Sequence, residues 1–415
     1  MQSDVSHLLL ALTVVIVVAR SVGALFHAVR QPRVVGELVA GIVLGPSVLG
    51  RLAPGAFHFL LPPSVAGTFG LVSQVGIVFF MFLVGAELDL QLLRSRALPA
   101  LAIAQASIAM PLGLGVAMGF ALHPTLAPAG VTPVVFALFV GVAMAITAFP
   151  VLARLLADHG LQQTPLGTLS LTSAAINDVT AWVLLAFLIG LVKGQIGGVW
   201  RTVALLVGFI GAMIGGVRPL LVWALRRQAW TERTALYAAL VFMMVSALVA
   251  EAIGVHAIFG AFLAGVVVPR ETRLKDNLAM RLEDMTVLFF LPPYFAFTGL
   301  RTELGLLNSG DDWAVAAAII VVATAGKFGG TILGGRLAGV PWRMAVQVGV
   351  LMNTRGLMEL VVLNVGVDLG VISMRLFAMM VLMAVVTTFA APPLLQALGL
   401  DMLSPPPAEA AGASV

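Results

Sequence analysis

SLTSAAINDVTAWVLLAFLIG (170–190) is an apolar run of membrane-spanning length that carries Asn177 and Asp178 near its middle. A charged side chain at the bilayer centre costs about 3 kcal/mol or more on insertion scales. Such a group faces a water-filled path or an ion rather than acyl chains, which makes Asp178 the first candidate for function. Adjacent residues point about 100° apart on a helix, so both can flank one side of a site. Asp178 brings negative charge and Asn177 a neutral donor and acceptor. The bland alternative is a structural Asp paired with a buried base. Ser173, nearly a turn and a half earlier, reads as off the site.

The rest of the chain fixes the setting of that run. Of 415 residues, 60% are hydrophobic and 10% charged, and the mean hydropathy is +1.07. Soluble domains carry about 25% charged residues, and apolar stretches of about 20 residues, the length of a bilayer-spanning helix, recur from end to end. The expected fold is an all-α polytopic membrane protein. The pI of about 10.1 reflects Arg and Lys in loops and is not read as nucleic-acid binding. With no cysteine, disulfides and thiolate metal sites are excluded. The N-terminal MQSDVSHLLLALTVVIVVARSVGAL (1–25) lacks a basic n-region and a small-residue cleavage site, so it reads as a retained span. The end, DMLSPPPAEAAGASV (401–415), reads as a short disordered cytoplasmic tail with no regulatory domain after it.

Hydropathy and Pro/Gly/charge punctuation give thirteen spans: 6–29, 33–50, 65–86, 97–122, 132–156, 165–192, 198–223, 231–252, 255–270, 281–300, 312–337, 341–367 and 371–398. With the N-terminus outside, fifteen Lys and Arg fall in inward loops and five in outward ones, which also places the C-terminus in the cytoplasm of a cell-membrane protein. The halves look alike. GELVAGIVLGP (36–46) echoes IFGAFLAGVVVP (258–269), and FFMFLVGAELDL (79–90) echoes PYFAFTGLRTEL (293–304). Repeat one would cover about 6–192, a linker helix 198–223 and repeat two 231–398. An offset of seven spans makes the repeats inverted, an architecture common among secondary transporters. Small-residue helix seams that look alike everywhere are the alternative.

Three further spans hold polar residues. In FALFVGVAMAITAFPVLARLL (136–156), Pro150 lacks a backbone donor and frees carbonyls around Ile146 and Thr147. A plain proline kink is the alternative there. Lys327 lies near the middle of span eleven and needs a carboxylate, water or deprotonation, while Gly326, Gly329 and Gly330 allow close helix approach. Span twelve carries Arg355 and Glu359 at i, i+4, able to pair on one face, with Asn353, Thr354 and Gly356 marking local unwinding. Two interrupted helices at matching repeat positions point to a midplane site. Glu37 reads as a cap of span two that Arg20 could pair with. Glu251 and His256 flank a break near the surface, and Glu87 and Asp89 end span three at the inner face.

GELVAGIVLGPSVLG, AITAFPVLARLL, AAINDVTAWVLLA, HAIFGAFLAGVVVP and MNTRGLMELVVLNVGVDLGVIS, in order across 6–398, resemble the monovalent cation:proton antiporters of the second branch. That branch includes Kef-type potassium efflux systems and plant cation/proton exchangers. The resemblance implies thirteen spans in two inverted six-helix repeats, a dimerisation domain that makes a homodimer, and a core domain with crossed discontinuous helices in spans five and twelve. It implies that Asp178 binds ion and proton, that Lys327 is the core-domain Lys, and that Arg355 and Glu359 are the crossed-helix charges. The best-known electrogenic members have two adjacent aspartates, and Asn177 stands at the first. One carboxylate then alternates between cation and proton, which favours electroneutral exchange.

The expectation is therefore a secondary antiporter exchanging K+ or Na+ for H+, with no cofactor and no enzymatic constellation. Asp178 binds cation and proton in competition, Asn177 and carbonyls around Thr147 complete an oxygen shell, and Pro150 and Gly356 break the crossed helices. Membrane lipid is the surrounding partner. The alternative on the same fold is a proton-coupled transporter of a small organic solute, and a third class is a membrane sensor without flux.

Overall fold

The computed structural model describes residues 2–29, 31–87, 97–158, 160–162, 164–192, 196–227, 231–269 and 282–399. Among them every regular element is a helix. In chain order they are α1 (Gln2–Ala28), α2 (Arg33–Leu44), α3 (Leu49–Leu52), α4 (Pro54–Leu60), α5 (Pro63–Glu87), α6 (Ala97–Leu126), α7 (Pro133–Ala145), α8 (Phe149–Asp158) and α9 (Pro165–Val192). Next come α10 (Ile196–Ala212), which runs through a π turn (Met213–Val217) into α11 (Arg218–Arg227), then α12 (Glu232–Ile253) and α13 (Ala257–Val267). A second π turn (Thr286–Phe290) leads into α14 (Leu291–Leu300), followed by α15 (Gly310–Leu337), α16 (Trp342–Met352), α17 (Leu357–Asp368) and α18 (Met374–Ala397).

Nine stretches among the described residues are long and apolar enough to cross a membrane. The other four expected spans have visible reasons for falling short. Spans five and twelve are each broken, into α7 with α8 and α16 with α17. Span nine keeps the eleven helical residues of α13, and span ten contains the π turn before α14. Helix starts follow local chemistry. Thr132, Thr231, Ser309 and Ser373 each accept an N–H of the first turn that follows, and Ser309 with Asp312 closes a capping box. Gly254, at φ 94°, ends α12 in the left-handed conformation open to glycine. Glu251 then accepts the Ala257 N–H at 3.0 Å, so it and His256 both cap α13.

The described residues group into two compact units that interleave along the chain. One takes residues 1–22, 37–90 and 182–303; the other takes 23–36, 91–181 and 304–415. The sequence divides the chain into successive halves, whereas each unit draws on both. In the first unit, a Cβ added to Gly41 would strike the Ala296 carbonyl, and one on Gly299 the Leu38 carbonyl. On the neighbouring seam, a Cβ on Gly265 would strike the Phe82 carbonyl, and one on Gly85 the Phe262 carbonyl. In the two echoes of sequence, Gly41 answers to Gly265, Gly85 to Gly299, Leu38 to Phe262 and Phe82 to Ala296. The α2–α14 and α5–α13 seams are thus built from matching residues, with backbone against backbone where a side chain would intrude. Arg20 and Glu37 lie 4.0 Å apart in the same unit.

In the second unit, α6 packs on α7 through Gly115 and Gly119 against Gly141 and Ala137. On another face it packs on α15, where Gly326, Gly330 and Gly334 meet Pro111, Ala106 and Ala102. Spacing of four residues puts these glycines on one stripe. That close approach brings Lys327 to α6.

Candidate ion site

All the charged residues singled out within spans five, six, eleven and twelve fall in the second unit. Helix α7 stops at Ala145, residues 146–148 are non-helical, and α8 restarts at Phe149. Pro150 therefore lies in the first turn of α8, where a missing N–H breaks no helical bond. What it withholds is the donor that Ile146 would receive in a continuous helix. Arg355 supplies one instead: its Nη1 donates to the Ile146 carbonyl at 3.5 Å and to Ala143 at 3.3 Å, and its Nη2 to Met144 at 2.7 Å. Lys327 Nζ donates to the Ala145 carbonyl and, at 3.1 Å, to that of Ser107. Two basic side chains so donate to the end of α7, where orphan carbonyls carry the negative end of the helix dipole.

The second break runs from Asn353 to Gly356, whose φ of 158° and ψ of −125° end the helical path before α17. The two breaks are stitched together. Thr147 Oγ1 donates to the Met352 carbonyl at 3.0 Å, and the Ala148 N–H to the Thr354 carbonyl at 3.0 Å. From α18, the Thr388 hydroxyl accepts the Arg355 N–H at 2.9 Å and donates to the Arg355 carbonyl. Glu359, in the first turn of α17, lies 3.6 Å from Arg355 Nη1, and an acidic group suits that helix end.

Asn177 and Asp178 diverge as neighbours on a helix must. The Asn177 Oδ1 accepts the Thr147 N–H at 3.2 Å and its Nδ2 donates to Ser107 Oγ at 3.2 Å. Asp178 is 1% exposed, and among the described residues neither of its carboxyl oxygens has a hydrogen-bond partner. A buried carboxylate left this way is costly by several kcal/mol. Two things can satisfy it: a proton on one oxygen, or a cation held by both.

Of the groups expected to complete an oxygen shell, the Ile146 carbonyl accepts from Arg355 and Asn177 Oδ1 accepts the Thr147 N–H, while the Thr147 hydroxyl donates to Met352. A carbonyl or amide oxygen has two lone pairs, so one such bond leaves the other open to a cation. Lys327 finds carbonyl oxygens as its hydrogen-bond partners, an outcome absent from the three read in the sequence. Arg355 and Glu359 do pair, but the guanidinium spends its hydrogen bonds on α7. Ser173 donates to Leu169 of its own helix at 2.8 Å, off the site. Ser107 and Thr388 are site residues that the sequence reading missed. The Glu87 side chain, Asp89, several loop cations of the inside–outside argument and the tail after Leu400 lie outside the described residues.

With this geometry in place, the sequence has clear relatives. The family described as "Sodium/hydrogen exchanger, transmembrane" matches residues 12–399. The chain is 42% identical over 399 residues to the Na(+)/H(+) antiporter NhaS4 of Synechocystis, covering 94% of this chain and 97% of that protein. It is 39% identical over 396 residues to cation/H(+) antiporter 18 of Arabidopsis thaliana, covering 94% of this chain and 48% of the plant protein. It is 37% identical over 384 residues to K(+)/H(+) antiporter 1 of Saccharomyces cerevisiae, covering 89% and 44%. The chain spans about half the length of the latter two and nearly all of the first. Its fold matches that of the sodium proton antiporter MjNhaP1 of Methanocaldococcus jannaschii at pH 8, with a TM-score of 0.69, 15% identity, and 96% and 97% of the two chains covered.

Proposed function

We propose that this chain, which belongs to the transmembrane sodium/hydrogen exchanger family, exchanges a monovalent cation, K+ or Na+, for H+ across a cell membrane. The observation that carries the reading is Asp178, a fully buried carboxyl group in a membrane helix whose oxygens both lack a hydrogen-bond partner among the described residues. Asn177, Thr147 and Ser107 beside it are hydrogen-bonded to one another, and Glu359, whose oxygens also lack a hydrogen bond, has the Arg355 guanidinium 3.6 Å away.

In the proposed cycle, ionised Asp178 binds the cation at one membrane face. The loaded site becomes accessible to the other face, the cation leaves, and a proton takes its place on the carboxyl. The protonated, neutral site returns and releases H+. One positive charge travels each way, so exchange is electroneutral. Asn177 cannot titrate, and its amide is already held at both ends, which leaves Asp178 as the one group of the pair that changes charge. Arg355, Lys327 and Glu359 hold the broken helix ends and do not carry the ion. The reading includes thirteen spans, an outside N-terminus and a homodimer, as in the sequence argument.

The test is reconstitution in tight liposomes carrying a pH dye, with an imposed proton gradient and K+, Na+ or Li+ added in turn. Cation-dependent proton movement is expected from the wild type, and Asp178→Asn should fall to the rate of empty vesicles while still folding and inserting. Wild-type exchange by Asp178→Asn would remove the mechanism. Silence of the wild type with every cation would favour the organic-solute alternative.

A further inference from the structure

Ser107 contributes two polar groups to the site, and Pro111 governs the availability of one of them. In an uninterrupted helix the Ser107 carbonyl would accept the N–H of residue 111. Helix α6 has proline there, without an N–H, and the released carbonyl accepts Lys327 Nζ at 3.1 Å. Gly326, next to Lys327, lies against the Pro111 backbone where a Cβ would not fit, so α15 reaches α6 at this level. The arrangement repeats a pattern seen at the first break, where Pro150 leaves the Ile146 carbonyl to Arg355.

The hydroxyl is equally committed. Ser107 Oγ accepts from Asn177 Nδ2 at 3.2 Å and donates its own proton to the Ala104 carbonyl at 2.9 Å. The direction of this chain is set at both ends by backbone groups. The Thr147 N–H can only donate, so Asn177 must present its oxygen there and its NH2 to Ser107; the Ala104 carbonyl can only accept. Ser107 thus holds the amide beside Asp178 in one orientation, and its carbonyl holds Nζ of Lys327.

We propose that Ser107 is a positioning residue for exchange, fixing Asn177 through its hydroxyl and Lys327 through the carbonyl that Pro111 releases. The proposal rests on the exchange reading above and adds a residue that acts through Asn177 and Lys327 rather than on the ion.

The test uses the purified full chain. Apparent Kd for K+ and Na+ is read from cation-dependent thermal stabilisation, and exchange from reconstituted vesicles. Ser107→Ala should weaken cation binding about five-fold, the worth of one neutral hydrogen bond. Combined with Asn177→Ala it should bind no worse than Asn177→Ala alone, because residues acting as a unit are not additive. Ser73→Ala is the control for losing a buried serine hydroxyl: Ser73 donates to Phe69 of its own helix at 2.9 Å, and its variant should keep the wild-type Kd. Pro111→Ala restores a donor that competes with Lys327 for the Ser107 carbonyl. It should raise thermal stability, since alanine favours helix, yet slow exchange about tenfold, as expected for weakening a hydrogen bond to a charged group. Added to Lys327→Ala it should slow exchange no further. Additive losses in either pair, or a Ser107→Ala variant that matches Ser73→Ala, would overturn the proposal. If Ser107→Ala does not fold, the Pro111 pair decides alone. A wild type that binds cation without exchanging it would end the exchange reading, and the binding pair would still decide the role of Ser107.

Discussion

Arg355 Nη2 donates to the Met144 carbonyl at 2.7 Å across 211 residues of sequence. The guanidinium belongs to one broken helix and closes the end of the other. Arg355→Ala would strand the α7 carbonyls and leave Glu359 buried without its cation. A loss of about 3–5 kcal/mol is expected, the usual cost of breaking a buried pair from one side. Arg355→Ala with Glu359→Ala should recover part of it, because the unpaired carboxylate is gone. Thermal unfolding of the two variants in detergent would show whether the double is the more stable.

In the proposed cycle, competition between one proton and one cation for Asp178 would fix a pH dependence. On the face where the cation binds, its apparent KM should rise about tenfold per pH unit in the acid limb, the slope for one proton linked to one site. Turnover at saturating cation should change much less. Initial rates in vesicles of controlled internal and external pH supply the plot. A limiting slope of two would require a second titrating group.

One-for-one exchange also predicts indifference to voltage. A potential of 100 mV does about 2.3 kcal/mol of work on each elementary charge moved, a bias of about fifty-fold at equilibrium. Clamping vesicles at either polarity should leave the null point of exchange where the ion gradients alone put it. A displaced null point would rule out electroneutral coupling.

The matched glycine seams make a stability prediction in the other unit. Gly85→Ala or Gly265→Ala drives a methyl into the Phe262 or Phe82 carbonyl, and each should destabilise by about 1–3 kcal/mol, as overpacking does. Gly67→Ala meets nothing within 4 Å and should be neutral or stabilising by up to about 1 kcal/mol in a helix. Thermal unfolding of the three variants would separate seam from surface.

Asp178, Lys327, Arg355 and Glu359 could be read from sequence because ionisable groups in apolar segments are too costly to be there without a partner or a task. The helix breaks were readable from Pro150 and Gly356 for a similar reason. The allocation of oxygens was not, since which carbonyl Arg355 reaches depends on how the two breaks lie together. Ser107 was hidden because a serine in an apolar helix ordinarily bonds its own preceding turn, as Ser73 does. A signal was nevertheless present: the four-residue step applied at Pro150 leads from Pro111 to Ser107. Two domains were expected from the resemblance, but which residues make up each unit was hidden from a linear reading, because each borrows from both halves of the chain.

The cross-bonded ends of the broken helices have a consequence for the idle protein. Thr147 with Met352, Ala148 with Thr354, and Arg355 with α7 are all contacts of protein with protein. None asks a passenger to keep the frame upright. Under the proposed cycle, the walls around Asp178 should therefore keep their shape whether the carboxyl carries a cation or a proton.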